Sequence, residues 1–203
     1  MKKHVLILLL LLCVSLVPAF SASYYYEQGD TAFSFNVGVD FPAFFAFTNN
    51  SEKKTELWTS GTHAKLGGYG SLGYQVFLTR EIALGGEIGY AFNNSFASNK
   101  LLTTVPITVK ASWYPVQTGK FDLIVHANAG ITFLNYDGCR FVAPHAKISI
   151  NPAYYFTDSL GVGIDAGLWM NYEFYNKSAT GYKSNENAFA GFIPLTVSLI
   201  YRH

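Results

Sequence analysis

Disulfide chemistry has almost nothing to work with in this sequence. Only two of its 203 residues are cysteine, Cys13 and Cys139, and Cys13 falls inside an N-terminal apolar run. A lone Cys139 closes no internal loop, so the fold holds without covalent staples. A charge excess of either sign is also missing. Setting aside Lys2 and Lys3 leaves 12 of the 14 Lys and Arg against 13 Asp and Glu. That balance, with no basic patch to meet phosphates, argues against nucleic acid as a partner. Metal-ligand spacing is absent as well: His63 and His145 have no paired His, Cys or carboxylate at zinc-site intervals, and both are expected at the surface. No cofactor is implied. Past residue 20 no apolar run approaches the ~18–20 residues of a membrane-spanning helix, although 50% of the chain is hydrophobic and 17% aromatic.

The N-terminus accounts for the one long apolar run. Lys2 and Lys3 precede Val5 to Val17, interrupted only by Ser15 and followed by Pro18-Ala-Phe-Ser-Ala-Ser23. This pattern reads as a secretory signal peptide over residues 1–23, with small residues placing cleavage after Ser21 or Ser23. About 180 residues then remain, enough for one domain, 24–203.

Within that domain the apolar residues alternate. From Ile82 to Phe92, one face carries Ile82, Leu84, Gly86, Ile88, Tyr90 and Phe92, and the other Ala83, Gly85, Glu87, Gly89 and Ala91. A period of two means a strand, apolar on one side and small or polar on the other. The same rhythm predicts eight strands over residues 31–41, 66–78, 82–92, 103–114, 121–133, 143–156, 160–172 and 189–201. Short connections (79–81, 115–120, 157–159) alternate with long ones (42–64, 93–100, 135–142, 173–187). In a bilayer every backbone group must find a partner internally, which strands achieve only as a closed barrel. The expected fold is therefore all-β: a single antiparallel up-and-down transmembrane barrel with lipid outside and polar groups within. Ten residue steps at ~3.3 Å, tilted by ~45°, rise ~23 Å, which matches the apolar band of such barrels.

Aromatic residues mark both edges of that band. Trp113, Tyr154, Phe156 and Tyr201 lie near the short-turn ends, and Phe41, Tyr90, Phe92, Phe133 and Tyr172 near the long-loop ends. The inward parity collects Asp40, Glu87, Lys110, His126, Lys147 and Asp165 as a lumenal polar cluster, with a Glu87–Lys110 salt bridge expected between neighbouring strands. About eight strands leave an interior only just wide enough for side chains. An internal echo pairs Val105-Pro-Ile-Thr-Val109 with Ile193-Pro-Leu-Thr-Val197; both prolines need a break in the ladder. No inward serine stands out as a nucleophile, so no enzyme is expected. Phe44, Phe45, Phe47 and Trp58 read as aromatic surface on the first long loop.

The signal peptide, eight amphipathic strands, alternating connections and a final strand Gly191-Phe-Ile-Pro-Leu-Thr-Val-Ser-Leu-Ile-Tyr201 resemble the small outer-membrane β-barrel proteins. The likeness is greatest to the OmpW/OprG-like ones and their spirochaetal relatives, with OmpX/OmpA-type barrels the near alternative. The resemblance implies a bacterial outer-membrane location with both termini periplasmic, a monomer among outer-membrane lipids, and insertion by the barrel-assembly machinery. It also implies a narrow passive conduit for small, apolar solutes. The alternative is a closed structural or surface-display barrel serving adhesion or envelope integrity. A third reading, a secreted lipocalin-like binder, requires the apolar faces to point inward.

Overall fold

A computed structural model describes residues 26–48, 55–57, 64–94, 100–136, 138–173 and 187–203. The expected signal peptide, Trp58 and His63 lie outside them. Among the described residues there are nine strands: β1 (Thr31–Phe47), β2 (Glu56–Leu57), β3 (Gly67–Phe77), β4 (Ile82–Asn94), β5 (Leu101–Gln117), β6 (Phe121–Tyr136), β7 (Cys139–Tyr155), β8 (Leu160–Glu173) and β9 (Ala188–Arg202). Each long strand pairs antiparallel with its successor, and β1 pairs with β9, so eight strands close a barrel. The two-residue β2 adds to the rim of β1 at Phe44 and Phe45.

The alternation resolves as expected from the sequence. Phe35 (44%), Ile88 (48%), Val109 (59%) and Val197 (55%) are exposed on the perimeter, whereas Asn36 (3%), Glu87 (6%) and Lys110 (3%) are buried inside. A water-soluble barrel has the opposite arrangement, so the lipocalin-like reading is overturned. Of the nine belt aromatics, Tyr90, Phe92, Trp113, Phe133, Tyr154, Phe156 and Tyr201 are each at least 42% exposed, whereas Phe41 and Tyr172 are half-buried.

Turn chemistry shapes the short-turn rim. Thr79 Oγ1 accepts from the Glu81 and Ile82 amides, Thr118 Oγ1 from Phe121, and Thr157 Oγ1 from Ser159 and Leu160. Each tight connection therefore opens on a threonine hydroxyl that holds the backbone through the reversal. On the same rim Thr31 and His203 exchange backbone hydrogen bonds of 2.7 and 2.9 Å, closing the barrel.

Strand prolines stand at breaks. Around Pro106 and Pro194 the ladder to the preceding strand lapses, resuming at Ala91↔Thr104 and Trp169↔Phe192. Proline has no amide hydrogen to donate, so the ladder opens beside it.

Two expected loops are strands instead. β1 continues past residue 41 through a bulge between Pro42 and Phe44. The bulge inserts one residue and resets the parity, which turns Phe45 inward and buries it. Between β6 and β7, Tyr136 pairs with Cys139, and Gly138 has φ +82°. Where a long 135–142 loop was expected, strand pairing thus continues to Tyr136 and Cys139, and Gly138 takes the left-handed conformation open to glycine.

Candidate functional site

The barrel interior is the candidate site, and it is stratified. At the short-turn end, Tyr26, Phe77, Tyr114, Ile124, Tyr155 and Ile200 form one apolar layer. Tyr26 precedes β1 and folds back into the mouth, its ring 3.8 Å from that of Phe77 and nearly parallel to it. Its hydroxyl donates to Asp122 Oδ2 (2.9 Å) and lies 3.0 Å from the Tyr155 hydroxyl. Arg202 points into the same layer. Its guanidinium lies 3.7 Å from the Tyr155 ring centroid, donates to Gly119 O (2.8 Å) and Asp158 O (2.7 Å), and sits 3.6 Å from Asp122. The last strand is thereby tied to two turns by one planar fork.

The middle layer is polar and ionic. Glu87 lies between Lys147 (2.8 Å) and Lys110 (3.3 Å), and its Oε1 also accepts from the Tyr69 hydroxyl at 3.1 Å. Lys147 extends toward Asp165 (3.9 Å), which accepts from Ser149 Oγ (2.9 Å) and faces His126 Nε2 at 4.0 Å. His126 Nδ1 lies 2.8 Å from Ser112 Oγ, which donates to Gln75 Oε1 at 2.6 Å. Gln75 in turn donates to the Tyr114 hydroxyl, linking this layer to the aromatic one below. Asn36, Ser71, Asn151 and Ser198 form a second polar string across β1, β3, β7 and β9. Two acids and two lysines balance at the centre, the condition under which buried charge is tolerated.

At the opposite end Phe45, Tyr69, Leu102, Leu134, Trp169 and Phe192 form a second apolar layer. Trp169 stacks on Phe192 at 4.2 Å and donates its indole N–H to Asp40 Oδ1 at 3.1 Å.

All six residues of the expected lumenal cluster are buried inside. Glu87, Lys110, His126, Lys147 and Asp165 come together, whereas Asp40 stands apart with Trp169. Corrections arise from depth, which strand parity does not convey. His145, expected at the surface, is buried on β7, 2.7 Å from Asn171 Oδ1 and against the Trp169 ring. The reason is that β7 starts at Cys139, not at residue 143. Ser112 is inward, as its strand parity predicts, and it contacts a histidine, which the sequence did not single out. Its inward parity was legible, but its approach to His126 depends on the β5–β6 register, which pairs Ser112 with His126 directly. Tyr26 and Arg202 carry no periodic signal, since each lies at an end of the alternating region.

A spirochaetal protein-family model matches residues 18–201 of this chain. With the apolar perimeter and polar interior, that match decides the family. The chain belongs to the small eight-stranded outer-membrane β-barrels. Solved structures similar to this outer-membrane barrel include OprG from Pseudomonas aeruginosa, with a TM-score of 0.51 and 8% identity over 87% of this chain and 98% of that one. Neisserial surface protein A is similar with a TM-score of 0.48 and 12% identity over 86% and 97% of the two chains. The outer membrane protein AlkL gives 0.47 and 18% over 92% and 94%. The OprG likeness shows the shared fold. No curated protein matches the sequence.

Proposed function

We propose that this outer-membrane barrel is a closed, side-chain-filled span that carries its longer connections to the cell exterior, serving adhesion or envelope integrity without passing solutes. One observation carries the reading: an ionic network bridges the barrel between two aromatic layers, with Trp169 and Phe192 (both 0% exposed) at one end and Tyr26, Tyr114 and Tyr155 (each 1%) at the other. The short threonine turns and both termini face the periplasm in this reading, as short connections do in such barrels. The working form is a monomer solvated by outer-membrane lipids, inserted by the assembly machinery through its last strand. Catalysis has no part in it, because Ser112 and His126 lie between the two layers with 2% and 3% exposure, away from any substrate.

A second reading, a narrow conduit for small solutes, draws on a different observation. Thr104 Oγ1, Asn128 Oδ1, Thr132 Oγ1 and Thr196 Oγ1 face the interior without a protein hydrogen-bond partner, a lining that suits water or a polar solute in single file. Planar-bilayer recording separates the two. The closed barrel gives no unitary currents as wild type and acquires them when Tyr26→Ala and Trp169→Ala are combined. Discrete currents from the wild-type protein overturn the closed reading in favour of the conduit.

A further inference from the structure

The outer surface of the barrel is not uniformly filled. On β3 the outward positions run Leu72, Gly70, Gly68, so two successive side chains are missing from the lipid-facing band. The registers pair Gly70 with Val37 on one side and Tyr90 on the other, and Gly68 with Phe92. The result is a trough of about 520 Å³ walled by Val37, Tyr90 and Phe92. The open floor runs from Leu72 to Gly70, two residues or ~7 Å along the strand at ~3.3 Å each, and the Phe92 ring closes the trough over Gly68, where a Cβ would lie 2.6 Å from the ring.

Backbone packing does not demand glycine at its centre. A Cβ on Gly70 would meet nothing nearer than the Asn36 carbonyl at 3.5 Å, an ordinary contact. By contrast, a Cβ on the inward Gly38 would fall 2.1 Å from the Leu195 carbonyl, so glycine there is forced. The open space at Gly70 therefore belongs to the surface and not to the fold.

We propose that this trough is a binding site for one acyl chain of a membrane lipid, held in the leaflet on the long-connection side. The trough is continuous with the lipid-facing perimeter, and the outward side chains around it are hydrocarbon or aromatic. A peptide strand does not fit, because the backbone of β3 is already paired on both sides through this stretch. A flexible hydrocarbon chain needs no hydrogen bonds and gains apolar contact on three sides. The inference stands independently of whether the lumen conducts; only the choice of leaflet rests on the orientation proposed above.

The test uses full-length mature protein folded into dioleoylphosphatidylcholine vesicles, released in mild nonionic detergent and weighed by native mass spectrometry. Wild type retains one phospholipid. Gly70→Leu, which fills the trough, and Tyr90→Ala, which removes a wall, each lower the retained fraction roughly tenfold, the equivalent of one buried apolar side chain. Ala166→Leu, at an exposed position on β8 between Ile150 and Leu195, retains lipid as wild type does. Heat-modifiable gel mobility verifies that each variant is folded, and Tyr90→Ala carries the test if Gly70→Leu does not fold. Equal retention by wild type and the trough variants overturns the proposal. So does a lipid-free two-chain mass that Gly70→Leu converts to single chains, which would assign the trough to self-association.

Discussion

Replacing Lys147 by methionine asks whether the centre of the barrel is dry. The ammonium lies 2.8 Å from Glu87 Oε1, with both side chains at most 4% exposed. At that separation the Coulomb attraction is about 1.5 kcal/mol in bulk water and about 6 kcal/mol at an effective permittivity of 20. Removing one partner of a desolvated pair costs about 3–5 kcal/mol because the other charge is stranded, whereas a solvated pair is worth about 0–1 kcal/mol. Lys110 stays 3.3 Å from Glu87, so Lys147→Met is expected near the lower figure, about 3 kcal/mol. Glu87→Gln placed in the same chain removes the stranded charge and leaves Lys110 with Asp165. The double variant is therefore expected to be more stable than Lys147→Met alone. Urea unfolding in short-chain phosphatidylcholine vesicles, followed by tryptophan fluorescence, reads the change. With slopes of about 1–3 kcal/mol per molar urea, the single variant lowers the midpoint by roughly 1–3 M. A loss below about 1 kcal/mol, with the two substitutions simply additive, would refute the sealed interior and indicate a wet lumen.

Four other substitutions probe other parts of the architecture. Leu84→Arg or Val109→Asp puts a charge on the lipid-facing side, at a cost of about 2–4 kcal/mol for Arg near the midplane; both should lose heat-modifiable mobility, and normal assembly of both would contradict the register. Trp169→Ala removes the ring stacked on Phe192 and the hydrogen bond to Asp40, an expected loss of about 3–5 kcal/mol in the same urea assay. Arg202→Lys keeps the charge but not the fork that spans Gly119 O and Asp158 O. It should therefore leave the barrel measurably less stable than wild type, and full retention of stability would show that charge alone matters.

Strand parity was enough to place Phe35, Ile88, Val109 and Val197 outside and Glu87, Lys110 and Asp165 inside, because a period of two leaves no other way to bury one face. Parity says which face a residue takes and nothing about its depth across the barrel. Glu87 and Lys147 are 60 residues apart and meet only once closure and stagger set the distances. Bulges break the count outright: beyond Pro42 the alternation restarts one residue late, and Phe45, outwardly a loop aromatic, becomes part of the core. The β6 and β7 strands run on to Tyr136 and Cys139 across the left-handed Gly138, where a long loop was expected. His145 lay near the start of the expected 143–156 strand, and with β7 beginning at Cys139 it sits well inside the strand on the inward face. Tyr26 and Arg202, which close one mouth, lie where the pattern starts and stops, so only tertiary packing reveals them.

A lipid-facing barrel requires the apolar faces of the strands to look outward. Nitroxide labels attached to single cysteines at positions 35, 88, 109 and 197, in a Cys139→Ser background reconstituted in vesicles, test it through their collision rates with oxygen and with a water-soluble relaxation agent. Oxygen, which concentrates in hydrocarbon, should dominate at all four positions. Strong relaxation there by the water-soluble agent would mean that those faces meet water, and the lipid-facing barrel would be wrong.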